Sequence, residues 1–297
     1  LFNNYIWNST TGLSTSRTGS IKAAEGKSLI QALYNPEYLY WPMFHRDLEH
    51  TGTTPEQVTP PLALLWKYKT GSWVGSSPAV SEGVVYIGSW YDGVCALNAT
   101  TGTQVWNYPT GIISLSSPAV CGGIVYVGSW DSCIYALNAV DGTLNWSYPT
   151  GSWVGSSPAV SGGIVYVGSG DGNVYALNAV DGTLNWSYPI GSWVRSSPAV
   201  SGGIVYVGSG DGKVYALNAV DGTLNWSYPT GGSVWSSPAV SGGVVYVGSF
   251  DNRTYALNAV DGTLNWSYQT GERGLVFSRR LRRHSLRRIR MTGRFML

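Results

Sequence analysis

Residues 151–190 read GSWVGSSPAVSGGIVYVGSGDGNVYALNAVDGTLNWSYPI. Close copies of this stretch begin at Gly71, Gly111, Gly191 and Gly231, always 40 residues apart, with no insertion or deletion. Two hundred of the 297 residues are therefore one unit written five times. Inside the copy, strand formers alternate with turn signals. Ser156–Ser161, Ile164–Ser169, Val174–Val180 and Thr183–Tyr188 read as four strands, A to D from the inside out. Gly162-Gly163 and Asp181-Gly182 read as two-residue hairpin turns, and Gly170–Asn173 turns the chain between B and C. Pro189 and Gly191 stop the last strand. One such sheet cannot cover both of its apolar faces, so the copies must stack. The expected fold is all-β: a β-propeller of four-stranded antiparallel blades, with five intact 40-residue blades. Hairpins at both ends of each strand disfavour a parallel solenoid.

Ala176–Trp186, followed by Gly191, resembles the tryptophan-docking motif of pyrroloquinoline-quinone (PQQ)-type propeller repeats, Ala-x-Asp-x-x-Thr-Gly-x-x-x-Trp with a Gly five residues on. The motif recurs at Ala96–Trp106, Ala136–Trp146, Ala216–Trp226 and Ala256–Trp266. The family's Asp is Asn throughout, and its Thr is Asp in every copy but the first. The resemblance implies that Trp106, Trp146, Trp186, Trp226 and Trp266 each pack between blades. Trp66 occupies the same place in Leu65–Gly71, which aligns with Asn145–Gly151. The chain thus enters the propeller with a lone D-type strand, which needs A, B and C strands from the other end to close the ring.

Four regions follow: a non-repeat extension at 1–39, a lead-in at 40–70, the blades at 71–270 (71–110, 111–150, 151–190, 191–230 and 231–270), and an aberrant tail at 271–297. The extension contains a short helical pattern from Ile21 to Tyr34. The lead-in brings His45, Asp47, Glu49 and His50 together with no motif spacing, and is expected to be a solvated loop.

The tail stands where a sixth copy is due and instead reads GERGLVFSRRLRRHSLRRIRMTGRFML. Codons for Arg279–Arg288 can be written so that dropping one base yields Ala-Val-Ser-Gly-Gly-Ile-Val-Tyr-Val, the run at Ala199–Val207, in the register the period demands. Flanking segments shift the same way. The tail is read as an out-of-frame sixth blade, which leaves the propeller unclosed. Sequencing the source DNA tests this: an Arg-rich frame with no trace of the repeat in its other frames would end it.

The chain carries +2 overall, 18 Lys+Arg against 16 Asp+Glu. Residues 271–297 supply nine Arg and one Glu, so the rest has nine basic against fifteen acidic residues, a net of −6. That balance argues against a nucleic-acid partner. No apolar run is long enough to cross a membrane as a helix. Cys121 and Cys133 sit at opposite ends of strand B, too far apart for a disulfide, whose Cα atoms lie within about 7 Å. With Cys95 they form no CxxC or His–Cys metal pattern. Seven Asn-x-Ser/Thr sequons occur, at Asn8, Asn98, Asn145, Asn185, Asn225, Asn252 and Asn265, four of them by-products of the repeat.

The copies differ mainly in the D–A connection and the B–C turn, which open on one rim because strands alternate in direction. This rim carries Trp73, Trp90, Trp130, Trp153, Trp193, Arg195, Lys213, Trp235, Phe250 and Arg253. Exposed aromatics and Arg on loops are residue types favoured at interfaces. The expected function is a non-enzymatic binding or scaffold propeller that holds an unknown protein or surface ligand on this rim. By resemblance to its relatives it is expected to work outside the cytoplasm, although no signal peptide is visible. The alternative is a PQQ-dependent dehydrogenase. PQQ and Ca²⁺ enter only through the family. The Asp residues of the copies sit in turns, and a Ca²⁺ site needs about six to eight oxygens, so no catalytic, cofactor or metal residue is carried over.

Overall fold

The computed structural model describes residues 42–52, 64–111 and 115–271. The extension at 1–39 and the tail beyond Gly271, with its reading-frame interpretation, lie outside the described residues. Blade 1 comprises β1 (Ala79–Ser81), β2 (Val84–Ser89), β3 (Gly93–Asn98) and β4 (Gln104–Tyr108). Blade 2 comprises β5 (Ala119–Cys121), β6 (Ile124–Gly128), β7 (Cys133–Asn138) and β8 (Leu144–Pro149). Blade 3 comprises β9 (Ala159–Ser161), β10 (Ile164–Gly168), β11 (Asn173–Asn178) and β12 (Leu184–Pro189). Blade 4 comprises β13 (Ala199–Ser201), β14 (Ile204–Gly208), β15 (Lys213–Asn218) and β16 (Leu224–Pro229). Blade 5 comprises β17 (Ala239–Ser241), β18 (Val244–Ser249), β19 (Arg253–Asn258) and β20 (Leu264–Gln269). Each blade is a separate sheet with its strands in sequence order, all antiparallel. The innermost strands of consecutive blades lie side by side. This is the arrangement of an unclosed propeller.

The Gly-Gly hairpins behave as read: Gly162 and Gly163 have φ of +58° and +77°, the two positive values a type I′ turn requires. The Asp181-Gly182 turn does not. Only Gly182 has positive φ, +73°. The connection is a longer loop in which Gly182 N–H donates to Asn178 O at 2.9 Å and Asn178 N–H to Thr183 O at 2.8 Å. Asn178 Oδ1 accepts from Val180 N–H at 2.8 Å, and Asp181 Oδ1 from Thr183 N–H at 3.0 Å. A side-chain oxygen makes this turn, and Asn supplies one as well as the family's Asp does. A Cβ at Gly182 would lie 2.6 Å from the Trp146 ring, so the glycine also makes room for the preceding blade's tryptophan.

Strand A is shorter than expected, three residues rather than six, because Ser156 and Ser157 spend their groups elsewhere. Ser156 Oγ accepts from Gly168 N–H at 2.8 Å and donates to Gly168 O at 2.9 Å. Ser157 N–H donates to Ser197 Oγ of the next blade at 2.9 Å. The same step links Ser77 to Ser117, Ser117 to Ser157 and Ser197 to Ser237, so one serine per blade forms a hydrogen-bonded series around the axis.

Between blades, two donors meet on one carbonyl. Tyr166 Oη donates to Ala219 O at 3.0 Å and Trp186 Nε1 to the same oxygen at 3.1 Å. Tyr86 and Trp106 meet on Ala139 O, Tyr126 and Trp146 on Ala179 O, and Tyr206 and Trp226 on Ala259 O. Burial pushes the Tyr86 and Tyr126 hydroxyls up to about 12, which keeps them protonated donors. Around each pair, valines, alanines and a leucine from both blades close the core, as Val174, Val194, Val205, Val207 and Leu217 do between blades 3 and 4. Trp106, Trp146, Trp186 and Trp226 are 7–8% exposed, as the motif implies. Trp66 docks the same way, donating to Ala99 O at 2.8 Å. Trp266 departs from the expectation. It is 48% exposed, because among the described residues no blade follows it.

The lead-in is not the solvated loop that was expected. Met43 and His50 are buried, at 8% and 4% exposure. Residues 42–52 cross the inner strands: Pro42 O accepts from Val120 N–H at 2.6 Å, Leu48 O from Val200 N–H at 2.7 Å and Glu49 O from Val240 N–H at 2.8 Å. Those amides point at the axis, where nothing within a blade can satisfy them, so the segment closes the centre by pairing with blades 2, 4 and 5. His50 Nδ1 lies 2.9 Å from Pro238 O. Burial is the main force that lowers its pKa, to about 4, and nearby His45 pushes the same way.

Candidate binding rim

In blades 1, 3, 4 and 5 the D–A connection and the B–C turn are tied by a backbone bond. Trp90 N–H donates to Trp73 O, Gly170 to Trp153 O, Gly210 to Trp193 O and Phe250 to Ser233 O, at 2.8–3.0 Å. The two variable connections therefore form one surface, as the alternation of strands implied.

The aromatic side chains of this rim form a continuous series. Ring centroids lie 5.4 Å apart for Trp73–Trp90, 6.1 Å for Trp90–Trp130 and 6.0 Å for Trp130–Trp153. The series continues at 6.5 Å for Trp153–Trp193, 5.1 Å for Trp193–Trp235 and 4.5 Å for Trp235–Phe250. Contacts at such distances, mostly tilted or edge-to-face, are each worth about 0.5–1.5 kcal/mol beyond burial. The sequence obeys a substitution logic here. Where the B–C turn carries Gly170 or Gly210, the D–A connection supplies Trp153 or Trp193, and a Cβ at either glycine would lie within 2.5 Å of that indole. Where the turn carries Trp130 or Phe250, the connection has Ile113 or Ser233 instead. Blade 1 has both Trp73 and Trp90, and Trp73 is left 72% exposed.

Arg195 sits among three of these rings, its guanidinium carbon 5.0 Å from the Trp153 centroid, 5.5 Å from Trp193 and 4.9 Å from Trp235. Burial pulls its pKa below the usual arginine value. Among the described residues, its Nε and the indole N–H groups of Trp90, Trp130 and Trp235 are shielded from water without a hydrogen-bond acceptor. The Arg195 guanidinium meets the π faces of Trp153, Trp193 and Trp235 instead, which is a weak compensation.

Two of the predicted rim residues are not brought into this cluster. Lys213 and Arg253 begin the third strands β15 and β19, pair with Pro229 and Gln269 on the outermost strands, and are exposed. Arg253 Nη1 donates to Ser267 Oγ at 3.1 Å, away from the rings. The serine series beneath the rim was missed, although SSP stands at the same place in all five copies and signalled it.

The five sheets and their docking tryptophans define a propeller of PQQ-type repeats. The chain belongs to the family described as outer membrane protein assembly factor BamB, whose model matches residues 62–194 and 191–290. No curated protein matches the chain. Among solved structures, BamB from Moraxella catarrhalis superposes with a TM-score of 0.61 at 21% identity, covering 69% of this chain and 64% of that one. The computationally designed Ika8 protein superposes at 0.61 with 19% identity, covering 67% and 62%. A quinohemoprotein alcohol dehydrogenase, ADHIIG from Pseudomonas putida HK5, superposes at 0.66 with 19% identity, covering 77% and 48%. At these identities the likeness is one of fold. The chain spans less than two-thirds of each of these proteins.

Among the described residues no three His, Cys, Asp or Glu side chains converge on a point that could hold a metal ion. The Asp side chains of the B–C turns are engaged locally: Asp171 accepts from Tyr175 Oη, Gly151 N–H and Asn173 N–H. No helix among the described residues is long and apolar enough to cross a membrane.

Proposed function

We propose that this chain is a non-enzymatic binding propeller whose aromatic rim holds a protein or surface ligand outside the cytoplasm. The observation that carries this reading is the series of seven rings, three of which surround Arg195. Trp and Arg are the side chains that most often dominate binding energy at interfaces. The rim offers flat apolar surface, with Trp73, Trp193 and Phe250 among its exposed rings. The description of the family as an assembly factor of the outer membrane supports both a protein partner and an extracytoplasmic site.

The test is photo-crosslinking of the purified chain to the extracytoplasmic protein fraction of its host. Crosslinks are expected with the native chain and with Val180→Ala on the opposite rim. They should be lost with Trp153→Ala/Trp193→Ala/Trp235→Ala and weakened at least tenfold with Arg195→Ala. Unchanged crosslinks in both rim variants would sink the proposal. Incubation with PQQ and Ca²⁺ is expected to give no bound quinone absorbance; cofactor-dependent dye reduction would favour the dehydrogenase instead.

A further inference from the structure

Arg195 stands where the other copies carry Gly75, Leu115, Gly155 and Trp235, so the repeat does not need a charge there to fold. Its guanidinium is nonetheless gathered by rings from three successive D–A connections: Trp153 before it, Trp193 beside it and Trp235 after it. All three rings are partly exposed. Burial lowers the Arg195 pKa, and among the described residues no carboxylate is near enough to oppose that shift. The side chain is half-buried. Its Nε is shielded from water, whereas its two Nη groups are not among the shielded atoms. The stem and Nε are therefore packed against indoles, and the forked end is left open at the surface. A partly desolvated cation without a counter-charge costs free energy, and π faces offset only part of it.

The charges around it select the kind of anion. The rim carries five carboxylates, at Asp92, Asp131, Asp171, Asp211 and Asp251, against three cations, Arg195, Lys213 and Arg253. Asp131, Asp171 and Asp251 each accept from a third-strand tyrosine and from the first glycine N–H of a D–A connection, which fixes them beside the outer strands. A polyanion laid across this rim would meet those carboxylates. A single carboxylate placed at Arg195 would not, and a guanidinium fork matches its two oxygens. The indoles on either side call for apolar neighbours of that carboxylate. Once such neighbours cover the rings, water is excluded and the ion pair strengthens. A free small carboxylate brings no such cover, and an ion pair left in water is worth little.

We propose that Arg195, with Trp153, Trp193 and Trp235, receives one Asp or Glu side chain of a partner protein, set between apolar residues that cover the indoles. This rests on the reading of the rim as a binding surface and specifies what that surface recognises. Arg195 fixes the position of the acidic residue, and the three rings supply the contact area around it.

The test selects a random dodecapeptide phage library on the immobilised full chain, native and with Arg195→Leu or Arg195→Lys. Leucine stands at this position in blade 2, and an unchanged thermal midpoint confirms that the variants fold. Peptides selected on the native chain are expected to be enriched in Asp or Glu flanked by apolar residues, and those selected on Arg195→Leu are not. Replacing the acidic residue of a selected peptide by the matching amide should weaken its binding to the native chain at least about tenfold. The same replacement should leave binding to Arg195→Leu unchanged. Arg195→Lys keeps the charge without the fork and should fall between. Acidic enrichment that persists on Arg195→Leu, or tighter binding of polyphosphate than of the acidic peptide, would overturn the proposal. Neutral peptides lost with Trp153→Ala/Trp193→Ala/Trp235→Ala would overturn the carboxylate and leave the rim reading intact. Peptides indifferent to every rim variant would overturn both.

Discussion

Glu82 is at odds with its place in the turn. It has φ of +49°, while Gly122, Gly162, Gly202 and Gly242 occupy the same turn position in the other copies with φ of +58° to +59°. A side chain in this region costs about 1–2 kcal/mol, and glycine returns part of that through its freer unfolded chain. Glu82→Gly should therefore raise stability by about 0.5–1 kcal/mol, read as a higher denaturant midpoint. Gly182 is the reverse case, because positive φ and the Trp146 ring 2.6 Å from a Cβ both demand glycine. Gly182→Ala should cost more than about 2 kcal/mol in the same measurement. The expectation of a glycine there was right, but for half the reason. Asp-Gly signals a turn locally, whereas the ring that forbids a Cβ comes from 36 residues earlier in the chain.

At the scale of an element, the lead-in couples blade packing to pH. His50 is held neutral by burial, with its pKa lowered from 6.5 to about 4. Its contribution to stability is complete above pH 6.5, where both folded and unfolded chains carry it neutral. It is lost as pH falls from 6.5 towards 4, where only the unfolded chain takes up the proton. The full loss is on the order of 3 kcal/mol, at about 1.4 kcal/mol per pKa unit. His50→Gln should flatten the dependence of the urea midpoint between pH 6.5 and 4, while leaving the steeper loss at lower pH. The segment was read as a solvated loop because its residues are polar and unpatterned. Its burial follows from inward-facing amides on three different blades, which no local pattern reveals.

At the scale of the whole molecule, the blades form a one-dimensional array in which each interface is a separate source of stability. Trp186→Ala removes a buried ring and its hydrogen bond and should cost about 3–5 kcal/mol. Trp266→Ala, at the open face, should cost less than about 1 kcal/mol. The comparison checks the polarity of the array: equal losses in guanidinium melts would mean that the last face is covered in solution.

The sequence by itself determined the repeat, its four strands, the stacking of its copies and five docking tryptophans, because a 40-residue period writes the same local physics five times. It also named the eight rim residues that meet. It did not separate them from Lys213 and Arg253, because strand position alone does not say which loop side chains turn towards the axis. Only the tertiary structure decided that the rings form one series around Arg195, that the lead-in closes the centre, and that Trp266 stands open while its four blade-to-blade equivalents are buried. Each of these depends on contacts between residues far apart in the chain, and the distances that decide them exist only once the blades are stacked.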